Sequence, residues 1–221
     1  MLANHGIRNE PLFILKVEDK NGTLLEKNTP RPAEVLSEET AAVVTSMLQS
    51  VIDHGTGAPA RLRGFTLPAA GKTGTMDDYM DAWFEGYIPS LAAGVWVGFD
   101  QKKTIGPGMT GARAALPTWT DFMIGATRGR PVEDFGSPLG TSNRDICAET
   151  GMLATEACPN VTTEIFDEGS EPTEYCTAHP GRPLQTYRRA APMPDEDGGK
   201  PDLRQLDRND RARAKEKIHT W

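Results

Sequence analysis

The chain has 221 residues, 38% of them hydrophobic, with three cysteines and a formal net charge of −7 at neutral pH. That charge, with no basic stripe to neutralise phosphates, excludes nucleic acid as a partner. No run of about eighteen apolar residues spans a bilayer, and Met1-Leu2-Ala3-Asn4-His5-Gly6 lacks the charged and apolar regions of an export signal, so the expectation is no leader and no anchor within these residues.

The first element is a hairpin. Residues 11–28 hold two short apolar runs around Asn21-Gly22, a dipeptide suited to a type I′ turn because both central positions need positive φ. Thr29-Pro30-Arg31-Pro32 is a linker. Ser37 then offers an N-cap, with Glu38 and Glu39 in the first turn where the helix dipole favours anions. Val43, Val44, Met47, Leu48, Val51 and Ile52 recur at helical period and predict one apolar face, with Gly55 as the stop.

Residues 55–70 read as a loop carrying Arg61 and Arg63. A strand holding Lys72 follows, then strands over Ala82 to Ile88 and Leu91 to Phe99 joined at Pro89-Ser90. The three predict an antiparallel meander. Glycine at positions 71, 74, 86, 94 and 98 weakens such strands unless something approaches the backbone closely. Residues 104–114 are loop. Leu116, Trp119, Phe122, Met123 and Ala126 then predict a helix over 115–127 that packs on the sheet.

After Arg128 the composition turns to Pro, Asp and Glu, with apolar patches near Ile146 and Phe166. From about residue 180 it reads as disordered, and Arg204, Arg208, Arg211 and Arg213 are interleaved with acids in a solvated tail. The odd cysteine count leaves one thiol over after any single pairing. With His179 the spacing is C-x10-C-x17-C-x2-H, which closes around zinc in principle. Zinc sites usually pair ligands in tight knuckles, and only Cys176 and His179 do so here. One disulfide is therefore favoured, and no metal or other cofactor is assigned.

The chemistry lies in Gly71-Lys72-Thr73-Gly74-Thr75. Lys-Thr-Gly on a strand is one of three parts of a serine acyl-transfer signature, beside Ser-x-x-Lys and Ser-x-Asn. Ser37, Ser46, Ser50, Ser90, Ser137, Ser142 and Ser170 match neither of the other two. A phosphate loop is excluded, because the glycine it needs five residues before Gly71 is Thr66 and strands follow instead of a helix. For acyl transfer to a peptide with a free carboxylate, one edge strand supplies a cation and hydroxyls for the carboxylate, a backbone edge, and an N–H for the oxyanion. Lys72 is the cation, Thr73 and Thr75 the hydroxyls, Gly74 the clearance, and the Thr75 N–H the oxyanion donor.

Beyond this pentapeptide, the chain resembles the class A high-molecular-weight penicillin-binding proteins, which are bifunctional peptidoglycan glycosyltransferase/transpeptidases. The resemblance rests on Ala3-Asn4-His5-Gly6, Val17-Glu18-Asp19-Lys20-Asn21-Gly22, Thr45-Ser46-Met47-Leu48-Gln49, the Lys72 segment, Asp81-Ala82-Trp83-Phe84-Glu85-Gly86-Tyr87 and Gly94-Val95-Trp96-Val97-Gly98-Phe99-Asp100. It implies an α+β fold, an antiparallel sheet flanked by helices as in serine β-lactamases, here incomplete and followed by an irregular tail. It divides the chain into the C-terminal half of a transpeptidase domain (1–128), a cysteine-containing extension (129–180) and a charged tail (181–221).

The resemblance further implies acylation by the penultimate D-Ala of a peptidoglycan stem peptide, then cross-linking to a neighbouring amine. It implies Lys72 and Thr75 in catalytic roles, with Thr73, Gly74 and Thr75 holding the carboxylate of substrate or β-lactam. In the family the nucleophilic serine lies upstream, and the full-length proteins sit in the periplasm on the inner membrane. The expectation is therefore a piece that is inactive alone, with exposed apolar sheet surface, whose partner is the missing N-terminal half. The alternatives are a complementing fragment that docks on a separate half, or a small zinc- or disulfide-stabilised binding module.

Overall fold

A computed structural model describes residues 1–184; the expected charged tail and its arginines lie almost wholly outside them. Near the N-terminus, β1 (Ile7–Arg8) pairs antiparallel with β4 (Ala33–Glu34), and β2 (Lys16–Glu18) pairs with β3 (Leu24–Lys27). The second pair is the expected hairpin, but its turn is not type I′. Only Gly22 has positive φ, at 83°, while Asn21 does not. The Asp19 carboxylate accepts the N–H groups of Thr23 (2.8 Å) and Asn21 (2.7 Å). An Asp side chain that caps its own turn removes the need for a second left-handed residue. Those same bonds, the Thr23 N–H foremost, hold the Asp19 carboxyl below its ordinary pKa.

The helix α1 (Glu38–Asp53) begins as expected, with Ser37 Oγ accepting the Thr40 N–H at 3.1 Å. Replacing Ser37 with Ala is expected to cost about 1 kcal/mol, read as a lower urea midpoint with unchanged slope. The predicted apolar stripe is rotated. Ala41, Thr45 and Ile52 are buried, whereas Met47 is 61% exposed. Small Ala41 and Thr45 let the helix approach the sheet, where Thr45 Oγ1 meets the Tyr87 hydroxyl at 3.0 Å. Burial pushes the Tyr87 phenol above its usual pKa, and the Thr45 bond opposes this. Gly55 is not a left-handed stop either. Its bare Cα lets the chain double back, since a methyl there meets Val51 Cα at 2.9 Å.

The segment read as a loop contains one helical turn, α2 (Pro59–Leu62). The Arg61 guanidinium fastens it, donating to the carbonyls of Phe65 (2.9 Å) and Leu67 (2.7 Å) and to Asp53 (2.9 Å). Next comes the expected meander, β5 (Ala70–Thr75), β6 (Asp81–Ile88) and β7 (Leu91–Gly98), in that spatial order. A short turn α3 (Gly111–Ala114) precedes α4 (Leu116–Ala126).

The core forms where α4 meets one face of this sheet. Leu116, Trp119 and Met123 pack with Phe84, Ile88, Phe65 and Ile52, all buried. Trp119 lies edge-on to Phe65 (5.4 Å between centroids) and Phe84 (4.9 Å), and its indole N–H reaches the Ala93 carbonyl at 3.1 Å. Gly86 is explained by this packing, for a methyl there sits 2.5 Å from the Trp119 ring. The opposite face leaves Trp83 43% and Trp96 41% exposed, in line with the expected apolar surface. The structure is thus α+β, an antiparallel sheet with helices against it.

Beyond α4, β8 (Thr141–Cys147) pairs with β9 (Val161–Asp167) in an antiparallel hairpin that the sequence reading saw only as apolar patches. Residues 152–155 run beside it, bridged to Ile146 on one side and Tyr175 on the other. Phe135 meets Tyr87 edge-on at 5.6 Å, linking this region to the meander.

Candidate functional site

The strand β5 lies at the edge of its sheet, with β6 on one side only. Register pairs Lys72 with Glu85, Thr73 with Phe84, Gly74 with Trp83 and Thr75 with Ala82. One residue further on, the Met76 N–H donates to the Asp81 carbonyl at 3.0 Å. Opposed residues in an antiparallel pair alternate between bonded and non-bonded positions. The N–H and C=O groups of Thr73 and Thr75 therefore turn away from β6, towards the open edge. An added strand is recognised by groups in that orientation.

The side chains follow the same geometry. Lys72 is exposed and folds over the edge, so that its ammonium donates to the Thr73 carbonyl at 2.9 Å and approaches Thr73 Oγ1 at 3.4 Å. It makes no ion pair among the described residues. Thr73 Oγ1 also contacts Thr56 Oγ1 at 3.0 Å. An ammonium and two hydroxyls thus meet at one point of the edge. Thr56 was missed by the sequence reading; its one signal is its place between Gly55 and Gly57, where the chain turns tightly after α1.

Thr75 is held differently. Its hydroxyl accepts the Gly111 N–H at 3.0 Å, which leaves the hydroxyl proton to donate outward. Gly111 has no room for a side chain, because a methyl there runs into the Trp83 carbonyl and lies 2.7 Å from the Gly74 carbonyl. The start of α3 is thereby pressed onto β5 and β6, which fixes the end of the site strand. At Gly74 itself a methyl meets Trp83 Cβ at 3.1 Å, so within this chain that glycine makes room for Trp83. The site is an open strand edge. A cavity of about 240 Å³ beside α1, lined in part by Thr45, Gln49, Phe135 and Asn143, includes no residue of β5.

A second cluster departs from the sequence reading. Cys147, Cys158 and Cys176 are all free thiols, so the favoured disulfide is absent. Their sulfur atoms and a ring nitrogen of His179 lie within 4.8 Å of one another. The four together could hold a metal ion, a role the sequence reading did not assign to them. Burial, the largest influence on Cys147, raises its thiol pKa, but hydrogen bonds from Thr150, the Glu149 and Thr150 N–H groups and His179 outweigh it and bring the net value below the ordinary thiol range.

Residues 1–117 match the family described as penicillin binding protein transpeptidase domain, and residues 137–181 match penicillin-binding protein 1A, C-terminal domain. Penicillin-binding protein 1A of Aquifex aeolicus (strain VF5) is 42% identical over 177 residues, covering 80% of this chain and 24% of that protein. Penicillin-binding protein 2D of Bacillus subtilis (strain 168) is 35% identical over 182 residues, covering 80% and 26%. The crystal structure of penicillin-binding protein 1A from Haemophilus influenzae superposes with a TM-score of 0.71 at 26% identity, covering 79% of this chain and 31% of that one. The chain spans about a quarter of the length of the curated relatives it matches.

Proposed function

Since this chain belongs to the penicillin-binding protein transpeptidase family, we propose that β5 is the substrate-binding edge of a serine-type D,D-transpeptidase that cross-links peptidoglycan. The stem peptide lies along β5 as an added strand, bonded to the outward N–H and C=O groups of Thr73 and Thr75. Its terminal carboxylate meets the Lys72 ammonium and the hydroxyls of Thr73 and Thr75, and β-lactams occupy the same place. The observation that carries this reading is the Lys72 ammonium, without an ion pair among the described residues, turned over an open edge beside hydroxyl groups. A buried or ion-paired lysine offers no such attraction.

In this scheme a serine oxygen attacks the penultimate D-Ala carbonyl, and the Thr75 N–H stabilises the charge that develops on the carbonyl oxygen. Terminal D-Ala leaves, and an amine of a neighbouring peptide then takes the acyl group from the serine. No serine here has Lys at the third position after it, so the attacking hydroxyl is supplied by a segment outside this sequence. Residues 1–128 form the transpeptidase part and 129–180 an extension. The complete protein works in the periplasm, attached to the inner membrane; among the described residues no helix is long and apolar enough to cross a membrane.

A fluorescent penicillin tests the division of labour. The chain alone is expected to acquire no covalent label, whereas co-expression with the serine-bearing part of the domain from a family member is expected to label that part. A boiling-resistant band on this chain alone would show a nucleophile within it and end the proposal. The exposed Trp83 and Trp96 favour a related reading, docking on a separately made half, and the same co-expression detects it as a complex that survives gel filtration.

A further inference from the structure

We propose that Cys147, Cys158, Cys176 and His179 bind one zinc ion in a closed, tetrahedral, structural site. The four ligand atoms lie within 4.8 Å of one another, and the two sulfur–nitrogen separations to His179 Nδ1 are those such a site needs. Zinc–sulfur bonds of about 2.3 Å and zinc–nitrogen bonds of about 2.0–2.1 Å at tetrahedral angles put sulfur and nitrogen about 3.6 Å apart. His179 Nδ1 lies 3.5 Å from Cys147 Sγ and 3.4 Å from Cys176 Sγ.

The surroundings match what orients ligands in zinc sites. A ligating histidine usually gives its other ring N–H to a carboxylate, which fixes the ring and its tautomer. His179 Nε2 lies 3.4 Å from Glu149 Oε2, on the side away from the thiols. The sulfurs receive hydrogen bonds of the kind that stabilise thiolates. Thr155 N–H donates to Cys158 Sγ at 3.3 Å, and the Thr150 hydroxyl to Cys176 Sγ at 3.4 Å. Cys147 and Cys176 are buried, and Cys158 is partly so.

Backbone bonds hold the cluster. Cys147 N–H donates to the Met152 carbonyl and Cys176 N–H to the Leu153 carbonyl, both at 2.8 Å, and the buried Thr155 hydroxyl donates to the His179 carbonyl at 2.6 Å. Residues 152–155 are thus a spine that brings the four ligands together despite their wide spacing. Four protein ligands leave no position for water or substrate, so the site is structural and not catalytic. The thiols ligate as thiolates and release their protons to solvent.

The experiment uses the full chain, purified reduced and incubated with zinc sulfate, then dialysed against buffer free of metal. About one zinc per chain is expected by elemental analysis, with no disulfide by mass spectrometry. Cobalt(II) in its place is expected to give tetrahedral ligand-field bands and thiolate charge-transfer absorption. Replacing Glu149 with Gln, at a half-exposed carboxylate, is expected to weaken zinc binding about 10–100-fold without removing a ligand. His179→Ala is expected to weaken it further and to alter the cobalt spectrum. Reduced protein that retains no zinc overturns the proposal, as does cobalt without tetrahedral bands. A zinc affinity untouched by both substitutions overturns His179 as a ligand and with it the four-ligand site.

Discussion

Trp119→Ala is expected to destabilise the chain by about 3–5 kcal/mol, a large share of the roughly 5–15 kcal/mol that holds a domain folded. The loss comes from several sources at one place. Trp119 is fully buried and is the largest of the fully buried side chains. It meets Phe65 and Phe84 edge-on, contacts that add to simple burial. Its N–H partners the Ala93 carbonyl, which loses that donor when the indole goes. Neighbours cannot readily collapse into the space, because Gly86 beneath the ring offers no side chain to move. Urea unfolding followed by circular dichroism measures the effect, and Trp119→Phe is expected to fall between the two. A change below 1 kcal/mol for the alanine variant contradicts this account of the core.

Where the sequence pattern is short and local, it was enough. The meander was readable because β6 and β7 are two apolar-rich runs on either side of a two-residue turn at Pro89-Ser90. Both ends of each strand fall within a residue of expectation, Phe99 alone lying just past β7. The start of α1 was readable for the same reason, since Ser37 and the two glutamates act within one turn. What failed depended on contacts that sequence spacing does not show. The buried face of α1 is set by its approach to Tyr87, which favours Ala41 and Thr45 over the larger Met47. Gly55 looked like a left-handed stop but serves close packing on Val51.

The two candidate sites show the same contrast. Lys72, Thr73, Gly74 and Thr75 are consecutive, so one strand brings them together, but which peptide groups face outward follows only from the pairing of Met76 with Asp81. The role of Gly111 was hidden, because it reaches Thr75 from 36 residues away in sequence. Cys147 and Cys176 are brought together by a third segment, which bonds to both through Met152 and Leu153 and bridges residues 146 and 175. Composition offered no sign of that spine. Tight knuckle spacing is the usual sequence signal for such ligand clusters, and here a third segment gathers the side chains in place of a short loop.

Lys72→Gln is expected to separate function from folding most sharply. Lys72 is exposed and makes no ion pair among the described residues, so its replacement is expected to change stability by no more than about 0.5 kcal/mol. In a complex with the serine-bearing part of the domain, the same change removes the positive charge that the proposed binding mode sets against the substrate carboxylate. Loss of one preorganised electrostatic contact at a reacting centre costs about 10²–10³ in rate, and acylation by a fluorescent penicillin is expected to slow by that factor. Thr75→Val is the contrasting variant. It removes a carboxylate donor but also strips the Gly111 N–H of its acceptor, so it is expected to lower both acylation and the unfolding midpoint. Acylation that proceeds at the unaltered rate with glutamine at position 72 means that the ammonium over the edge of β5 faces something other than the substrate carboxylate.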